Sequence, residues 1–176
     1  LEWISVYRFQ SRCIRNFRHG RVIFSGDAAH QVSPFGARGA NSGIQDAENL
    51  AWKLQLVLKE LAPESLLDSY NSERIYAAEE NIRHSTQSTD FIAPKGTVCL
   101  AYRNAVLSLA KQYKFARPLI NSGRLSTPTV HLESTLNTAD IDSWLGQLSP
   151  GAPAADAPLQ TPKGECWLLS QLKGEF

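Results

Sequence analysis

The chain of 176 residues is 43% hydrophobic and 20% charged, with 18 Lys and Arg against 17 Asp and Glu, the balance of a globular protein with enough apolar content for a core. That composition excludes the disordered, fibrous and collagen-like classes, and no run approaches the ~20 apolar residues that a bilayer span needs. A net charge of +1 gives no overall field for nucleic acid or anionic lipid, so neither is expected as a partner, and the chain reads as soluble and cytoplasmic. Cys13, Cys99 and Cys166 are scattered and form no Cys-x-x-Cys, which reads as reduced thiols. The chain has no methionine and starts at Leu1, so it is expected to be a piece of a longer protein.

Trp3 to Phe9 (WISVYRF) alternates with period two and predicts a strand. A basic stretch follows, with Arg8, Arg12, Arg15, Arg18 and Arg21 and no acidic residue between Trp3 and Gly26. His19-Gly20 predicts a turn, and Arg21 to Ser25 (RVIFS) a short buried parallel strand ending at Gly26-Asp27. From Ile44 the apolar positions Ala47, Leu50, Leu54, Val57 and Leu61 keep helical spacing until Pro63. A second helix is predicted from Ser65, whose hydroxyl is expected to cap the first turn with Asp68 three residues on, to an end near Asp90 to Pro94. Val98, Tyr102, Ala105, Leu109 and Tyr113 outline a third, ended before Pro118. Beyond Ser122, residues 123–136 mix β-branched residues with turn formers, and residues 148–162 carry four of the nine prolines. Cys166 to Leu172 is apolar again.

The chemistry concentrates in Gly26 to Asp46, GDAAHQVSPFGARGANSGIQD. A strand ends in Gly-Asp, a loop with Pro34 and glycines at 36, 39 and 43 follows, and then a long helix begins. Gly36, Gly39 and Gly43, with Asn41, place bare N–H groups at a helix N-terminus, where an anion or an electron-rich carbonyl is favoured. Asp27, at the end of a strand, can accept hydrogen bonds from a ribose-like polyol. A polyol and an anionic ring held by one loop suggest a flavin nucleotide. Spacing alone leaves the ligand open, because no Gly-x-Gly-x-x-Gly occurs.

The stretch GRVIFSGDAAHQVSPFGARGANSGIQDAENLAWKL closely resembles the second FAD-binding motif of the class A flavoprotein aromatic hydroxylases, the para-hydroxybenzoate hydroxylase-like family. The match runs through Gly26-Asp27-Ala28-Ala29-His30, Pro34, Gly39, Asn41, Gly43, Asp46 and Asn49 to Leu54, and continues to Tyr70 and Glu73-Arg74, similar to that family's Tyr-x-x-Glu-Arg helix. The resemblance implies that Asp27 binds the ribityl chain of FAD and that Gly39, Ala40 and Asn41 present N–H groups to the N1 and C2 carbonyl edge of the isoalloxazine. Gly26 and Gly36 belong to the same implied set of cofactor-binding residues, and Pro34 lines the reactive side of the flavin. Where the family commonly has two adjacent prolines, this chain has Ser33-Pro34.

The resemblance implies an α/β fold: the end of an FAD-binding Rossmann-like domain over residues 1–122, mainly helical in its later part, an irregular connection and linker over 123–162, and a truncated C-terminal domain starting at 163–176. LSPGAPAADAPL followed by Gly164 to Leu169 resembles the entrance to the thioredoxin-like domain of the phenol and 3-(3-hydroxyphenyl)propionate hydroxylase branch. The implied activity is hydroxylation of a small aromatic, phenolic substrate with FAD, NADPH or NADH, and oxygen. The implied partners are the remainder of its own chain and, for an oligomer, a second copy in a homodimer. Two rivals stand beside this reading: a flavin reductase or halogenase-like relative, and a non-enzymatic helical module with a basic arm.

Catalytic residues are not assigned. His30 reads as loop scaffold rather than general base, His84 and His131 are isolated, and no His, Asp or Glu has metal-ligand spacing, so no metal is expected. Asp46 and Glu48 read as first-turn charges favoured by the helix dipole rather than paired catalytic carboxylates. The five arginines read as a solvated face, one of them in reach of a pyrophosphate or nicotinamide phosphate. Phe35 and Tyr102 are generic aromatics available to a substrate pocket.

Overall fold

The computed structural model describes residues 3–120, 123, 127–141, 146, 148–162 and 164–172. Three long helices dominate: α1 (Gly39–Leu58), α2 (Leu66–Ile92) and α3 (Thr97–Gln112), followed by the short α4 (Arg117–Ile120). Four two-residue strands precede α1, namely β1 (Arg12–Cys13), β2 (Arg18–His19), β3 (Val22–Ile23) and β4 (His30–Gln31). A terminal hairpin of β5 (Pro158–Thr161) and β6 (Gly164–Trp167) leads into α5 (Leu168–Leu172).

Helix α1 begins at Gly39, before the apolar periodicity starts at Ile44, because Ala40 to Gly43 carry no apolar stripe although their backbone is helical. It ends at Leu58, short of Pro63, with Glu60 in the left-handed region at φ 58°. Helix α2 spans the expected range, but the Ser65 hydroxyl makes no cap; the Ser65 carbonyl accepts the Asp68 N–H at 3.0 Å instead. Helix α3 spans the expected turns, and Pro118 is accommodated in the first turn of α4, where its missing N–H is no loss.

The expected strands change more. Trp3 to Phe9 forms no ladder among the described residues, and Trp3 is 83% exposed; a strand needs a partner along its edge, and here only Phe9 meets another ring, that of Phe35 at 5.9 Å. Arg21 to Ser25 is no buried parallel strand. Gly20, at φ 61°, turns the chain so that Val22–Ile23 pairs antiparallel with Arg18–His19, and Val22 is 58% exposed. The other ladders are antiparallel too: Arg12 opposes Gln31 and Cys13 opposes His30 in one, and Pro158 opposes Trp167 in the other. The β5 strand lies within the segment expected as linker.

A small core ties the hairpins to α2. Phe17, Ala29, Tyr70 and Ala78 are buried together, with Ile14, Ile23, Phe24 and Leu50 packed around them. Tyr70 donates its hydroxyl to the Phe24 carbonyl at 2.7 Å, and Asn71 Oδ1 accepts the N–H groups of Phe17 and Arg18 at 2.7 and 3.2 Å. Burial pushes the Tyr70 hydroxyl up to about 12, so it stays a donor across the working pH range. The segment from Thr127 to Asn137 also packs on the helices: Thr129 donates to Glu80 Oε2 at 2.8 Å and Ser134 to Glu73.

Candidate functional site

The Gly26-Asp27 turn is built by close approach. Gly26 adopts φ +58°, and its Cα would lie 3.5 Å from a Cβ on Gly43 in α1, so the turn rests directly on the second turn of the helix. Residues Gly26–Ala28 form a single 3-10 turn in which the Ala29 N–H donates to the Gly26 carbonyl at 2.9 Å. Asp27 lies exposed on that turn.

The loop then reaches the helix start through a second turn, the Ala37 N–H donating to the Pro34 carbonyl at 3.0 Å, with Gly36 at φ 92° and Ala37 at φ 52°. Pro34 is exposed and Phe35 half-buried. The loop is held from α2: Ser85 Oγ donates to the carbonyls of Phe35 and Ser33 at 2.8 and 3.2 Å, and Ser33 Oγ lies 2.9 Å from Thr89 Oγ1.

The first bond within this end of α1 runs from the Ser42 N–H to the Arg38 carbonyl at 2.8 Å, and no side chain caps the helix. The N–H groups of Gly39, Ala40 and Asn41 therefore have no acceptor within the described residues, while the Asn41 side chain turns back to the Ala37 carbonyl at 3.1 Å. These open donors and the exposed Asp27 carboxylate sit at the same end of α1, because Gly26 rests on Gly43. Donors for an electron-rich ring edge beside an acceptor for a polyol are the set a flavin nucleotide needs. All seven residues read from the sequence, Gly26, Asp27, Pro34, Gly36, Gly39, Ala40 and Asn41, thus belong to one turn–loop–helix unit.

Beneath this surface lies a buried polar network that spacing did not reveal. Asp46 is in the third turn of α1 and fully buried, not a first-turn charge. Its Oδ2 accepts the Gly26 N–H at 2.9 Å and faces His30 Nε2 at 2.7 Å, and its Oδ1 accepts from Arg74 Nε at 2.6 Å. Burial works to raise the Asp46 carboxyl, but the hydrogen bonds from His30 and Arg74, the Arg74 charge and the Gly26 N–H outweigh it and hold the group below the usual range. Arg74 also reaches the Ser42 carbonyl at 3.3 Å, and Asn81 donates to Ser42 Oγ at 3.3 Å.

A second cluster lies further along α1. Lys53, fully buried, donates to Glu73 Oε2 at 2.7 Å, and Asn49 donates to the same oxygen at 2.8 Å. Against the burial that would raise it, the bonds from Lys53, Ser134 and Asn49 keep the Glu73 carboxyl low.

His30 is buried in the Asp46 network and stacked on Phe17 at 5.7 Å, the scaffold position expected of it. Arg18 is paired with Glu64 and Asp68 rather than free on a solvated face, whereas Arg8, Arg12, Arg15 and Arg21 are exposed. Among the described residues no group of three or more His, Cys, Asp and Glu is placed to hold a metal ion. No helix of the described residues is long and apolar enough to cross a membrane.

Residues 1–85 match the family model described as FAD binding domain. The chain is 40% identical over 131 residues to a putative polyketide hydroxylase of Streptomyces halstedii, covering 71% of this chain and 23% of that protein. It is 42% identical over 100 residues to a 3-(3-hydroxy-phenyl)propionate/3-hydroxycinnamic acid hydroxylase of Paraburkholderia xenovorans, covering 57% of this chain and 16% of the relative. Among solved structures it is similar to CabE, an aromatic hydroxylase from angucycline biosynthesis, with a TM-score of 0.67 and 29% identity over 94% of this chain and 32% of the other. The chain therefore spans under a quarter of the length of these two curated relatives.

Proposed function

The chain belongs to the class A flavin monooxygenases, whose FAD binding domain model its residues 1–85 match, and from there we propose that it supplies the ribityl and isoalloxazine side of an FAD site in an enzyme that hydroxylates a small aromatic, phenolic substrate. The observation that carries this reading is the convergence of the open N–H groups of Gly39, Ala40 and Asn41 with the exposed Asp27 carboxylate at one end of α1. When bound, FAD supplies the electron transfer from NADPH or NADH and the activation of oxygen.

The protein's own residues bind and orient. Asp27 accepts from ribityl hydroxyls. Gly39, Ala40 and Asn41 donate to the N1 and C2 carbonyl edge, where the helix terminus favours negative charge by about 0.3–1 kcal/mol at exposed sites and more when buried. Gly26 and Gly36 let the backbone turn closely enough to bring those groups together, and Pro34 stiffens the wall of the loop on the reactive side. His30 and Asp46 hold the Gly26 N–H in place from below.

In the same reading, residues 1–122 form the C-terminal part of the FAD domain and 123–162 the connection. Residues 163–176, which hold β6 and α5, begin a thioredoxin-like unit. The remainder of its own chain completes the adenosine half of the site, a second copy forms a homodimer, and the enzyme works in the cytoplasm.

Titration of the chain with FAD, followed by flavin fluorescence, tests the reading. Saturable but weak quenching is expected, with no NADPH oxidation by the isolated chain. No quenching by a chain that keeps its cooperative melting transition would remove the FAD assignment, and tight stoichiometric binding would overturn the view that the site is shared with further sequence.

A further inference from the structure

After the helices the chain returns to the loop that opens α1. Residues 127–137 lie against α1 and α2 as an irregular strap anchored at three places. Arg38 donates from Nη2 to the Thr127 carbonyl at 2.8 Å, Thr129 donates to Glu80 Oε2 at 2.8 Å, and Ser134 donates to Glu73 Oε1. Apolar burial adds little to this hold, since Leu132 and Leu136 are exposed and cavities of about 400 and 230 Å3 flank the Ser134–Glu73 contact, one toward α1 and one toward Ser72 and Tyr76. A segment held by polar ties beside open space is of low local stability.

A second crossing of the chain locks the strap. The His131 N–H donates to the Gly151 carbonyl at 2.9 Å, and Asn137 Nδ2 donates to the His131 carbonyl at 2.7 Å. Gly151 adopts φ +80°, and a Cβ there would overlap the His131 carbonyl and lie 2.9 Å from Asn137 Nδ2, so glycine alone closes against this point.

The first anchor bears on the cofactor end of α1. Arg38 stands between the left-handed Ala37, at φ 52°, and Gly39. Its carbonyl accepts the Ser42 N–H at 2.8 Å, the first bond of the helix, and no side chain caps that end. The strap thus holds the Arg38 guanidinium while the Arg38 carbonyl starts the helix, and the open N–H groups of Gly39, Ala40 and Asn41 follow directly. We infer that the strap, locked by Gly151, fixes the first turn of α1 for the flavin, with Arg38 as the positioning residue through which it acts; the flavin part of this rests on the FAD reading above.

Gly151→Ala in the whole chain tests the lock. Amide-resolved hydrogen exchange should quicken at His131 and, about fivefold, at Ser42, while Leu54 in the middle of α1 keeps its parental rate, and FAD titration by flavin fluorescence should give a Kd raised about fivefold, the worth of one hydrogen bond. Thr129→Val with Ser134→Ala, which cuts the ties to α2 and leaves Gly151 in place, should act in the same direction. Thr129→Ser with Ser134→Thr keeps both hydroxyls and should match the parent. An unchanged rate at His131 in Gly151→Ala would overturn the lock. A quickened His131 with a parental rate at Ser42, or with a parental Kd, would overturn the positioning role, as would equal quickening at Ser42 and Leu54, the mark of a general loss of stability. A parent chain that binds no FAD would remove the FAD reading, whereas Ser42 would still report whether the strap governs the helix start.

Discussion

Arg74 on α2 donates from its Nε to Oδ1 of Asp46 on α1 at 2.6 Å, and both side chains are almost wholly buried. The other carboxylate oxygen receives the Gly26 N–H, so one ion pair joins two helices and the turn that presents Asp27. Charge removed from such a pair leaves its partner buried and uncompensated.

Asp46→Asn is therefore expected to lower unfolding stability by about 3–5 kcal/mol in urea titrations. The double variant Asp46→Leu with Arg74→Met should recover much of that loss, since no lone charge remains. A single-variant cost below about 1 kcal/mol, the level of an exposed pair, would show that the clamp contributes little.

The same network sets the acid limit of the fold. The carboxyls of Asp46 and Glu73 are held low in the folded chain, Asp46 by His30, Arg74 and the Gly26 N–H, and Glu73 by Lys53, Ser134 and Asn49, in each case against burial. A folded pKa below the unfolded one means that the unfolded chain takes up protons first as pH falls. Their stabilising contribution is thus complete above the ordinary carboxylate range, near pH 4 to 4.5, and is lost as pH drops through the lower folded values. Urea unfolding as a function of pH should show a stability plateau near neutrality and a decline below about pH 4. In Glu73→Gln that decline should be shallower, and an unchanged slope would contradict the assignment.

The helices and the loop between Gly26 and Gly43 were legible because their signals are local. Leu50, Leu54 and Val57 recur within turns of one another, and Asp27, Pro34 and the glycines lie in a single stretch between Gly26 and Gly43. The buried network was not legible, because Asp46 meets Arg74 across 28 positions and Lys53 meets Glu73 across 20, and neither spacing belongs to a helix or strand period. On sequence alone a charged residue near the start of a helix reads as a dipole partner; only the start at Gly39 shows that Asp46 lies two turns in. The strand predicted for Trp3 to Phe9 failed for a related reason. Alternation reports what a segment could bury, whereas ladder formation needs a neighbour that the segment does not encode. Resemblance singled out Tyr70 and Glu73-Arg74, and their contacts to Phe24, Lys53 and Asp46 now give them physical roles.

Gly26 and Gly43 touch each other but have opposite tolerances. Gly26 sits at φ +58°, where a side chain is strained whatever the space, so Gly26→Ala should cost about 1–2 kcal/mol. Gly43 has helical backbone, and a Cβ there would meet the Gly26 Cα at 3.5 Å, an ordinary contact, so Gly43→Ala should be neutral or stabilising by up to about 1 kcal/mol. Thermal melts of the two variants measured side by side decide the matter, and equal losses would mean that space rather than backbone conformation governs this contact.

Asp27 separates binding from folding most cleanly. It is exposed on the turn beside the open end of α1, whereas Asp46, 19 positions on, carries the buried hydrogen bonds that hold the turn. A carboxylate that accepts from ribityl hydroxyls contributes about 1.5–3 kcal/mol, as charged acceptors do. Asp27→Ala should therefore weaken FAD binding by roughly 10- to 100-fold, since each 1.4 kcal/mol is tenfold. Asp27→Asn should lose less, because its amide oxygen still accepts while the charge is gone. The apo melting temperature of both variants should stay at the parent value, as the side chain is solvated before FAD arrives. If Asp27 merely stiffened the turn, the pattern would invert: Asp27→Ala would lower the apo melting temperature and leave FAD affinity unchanged. Flavin fluorescence titration beside the apo melt, carried out in the protein that binds FAD, reads both quantities, and that inverted pattern would remove Asp27 from the flavin site.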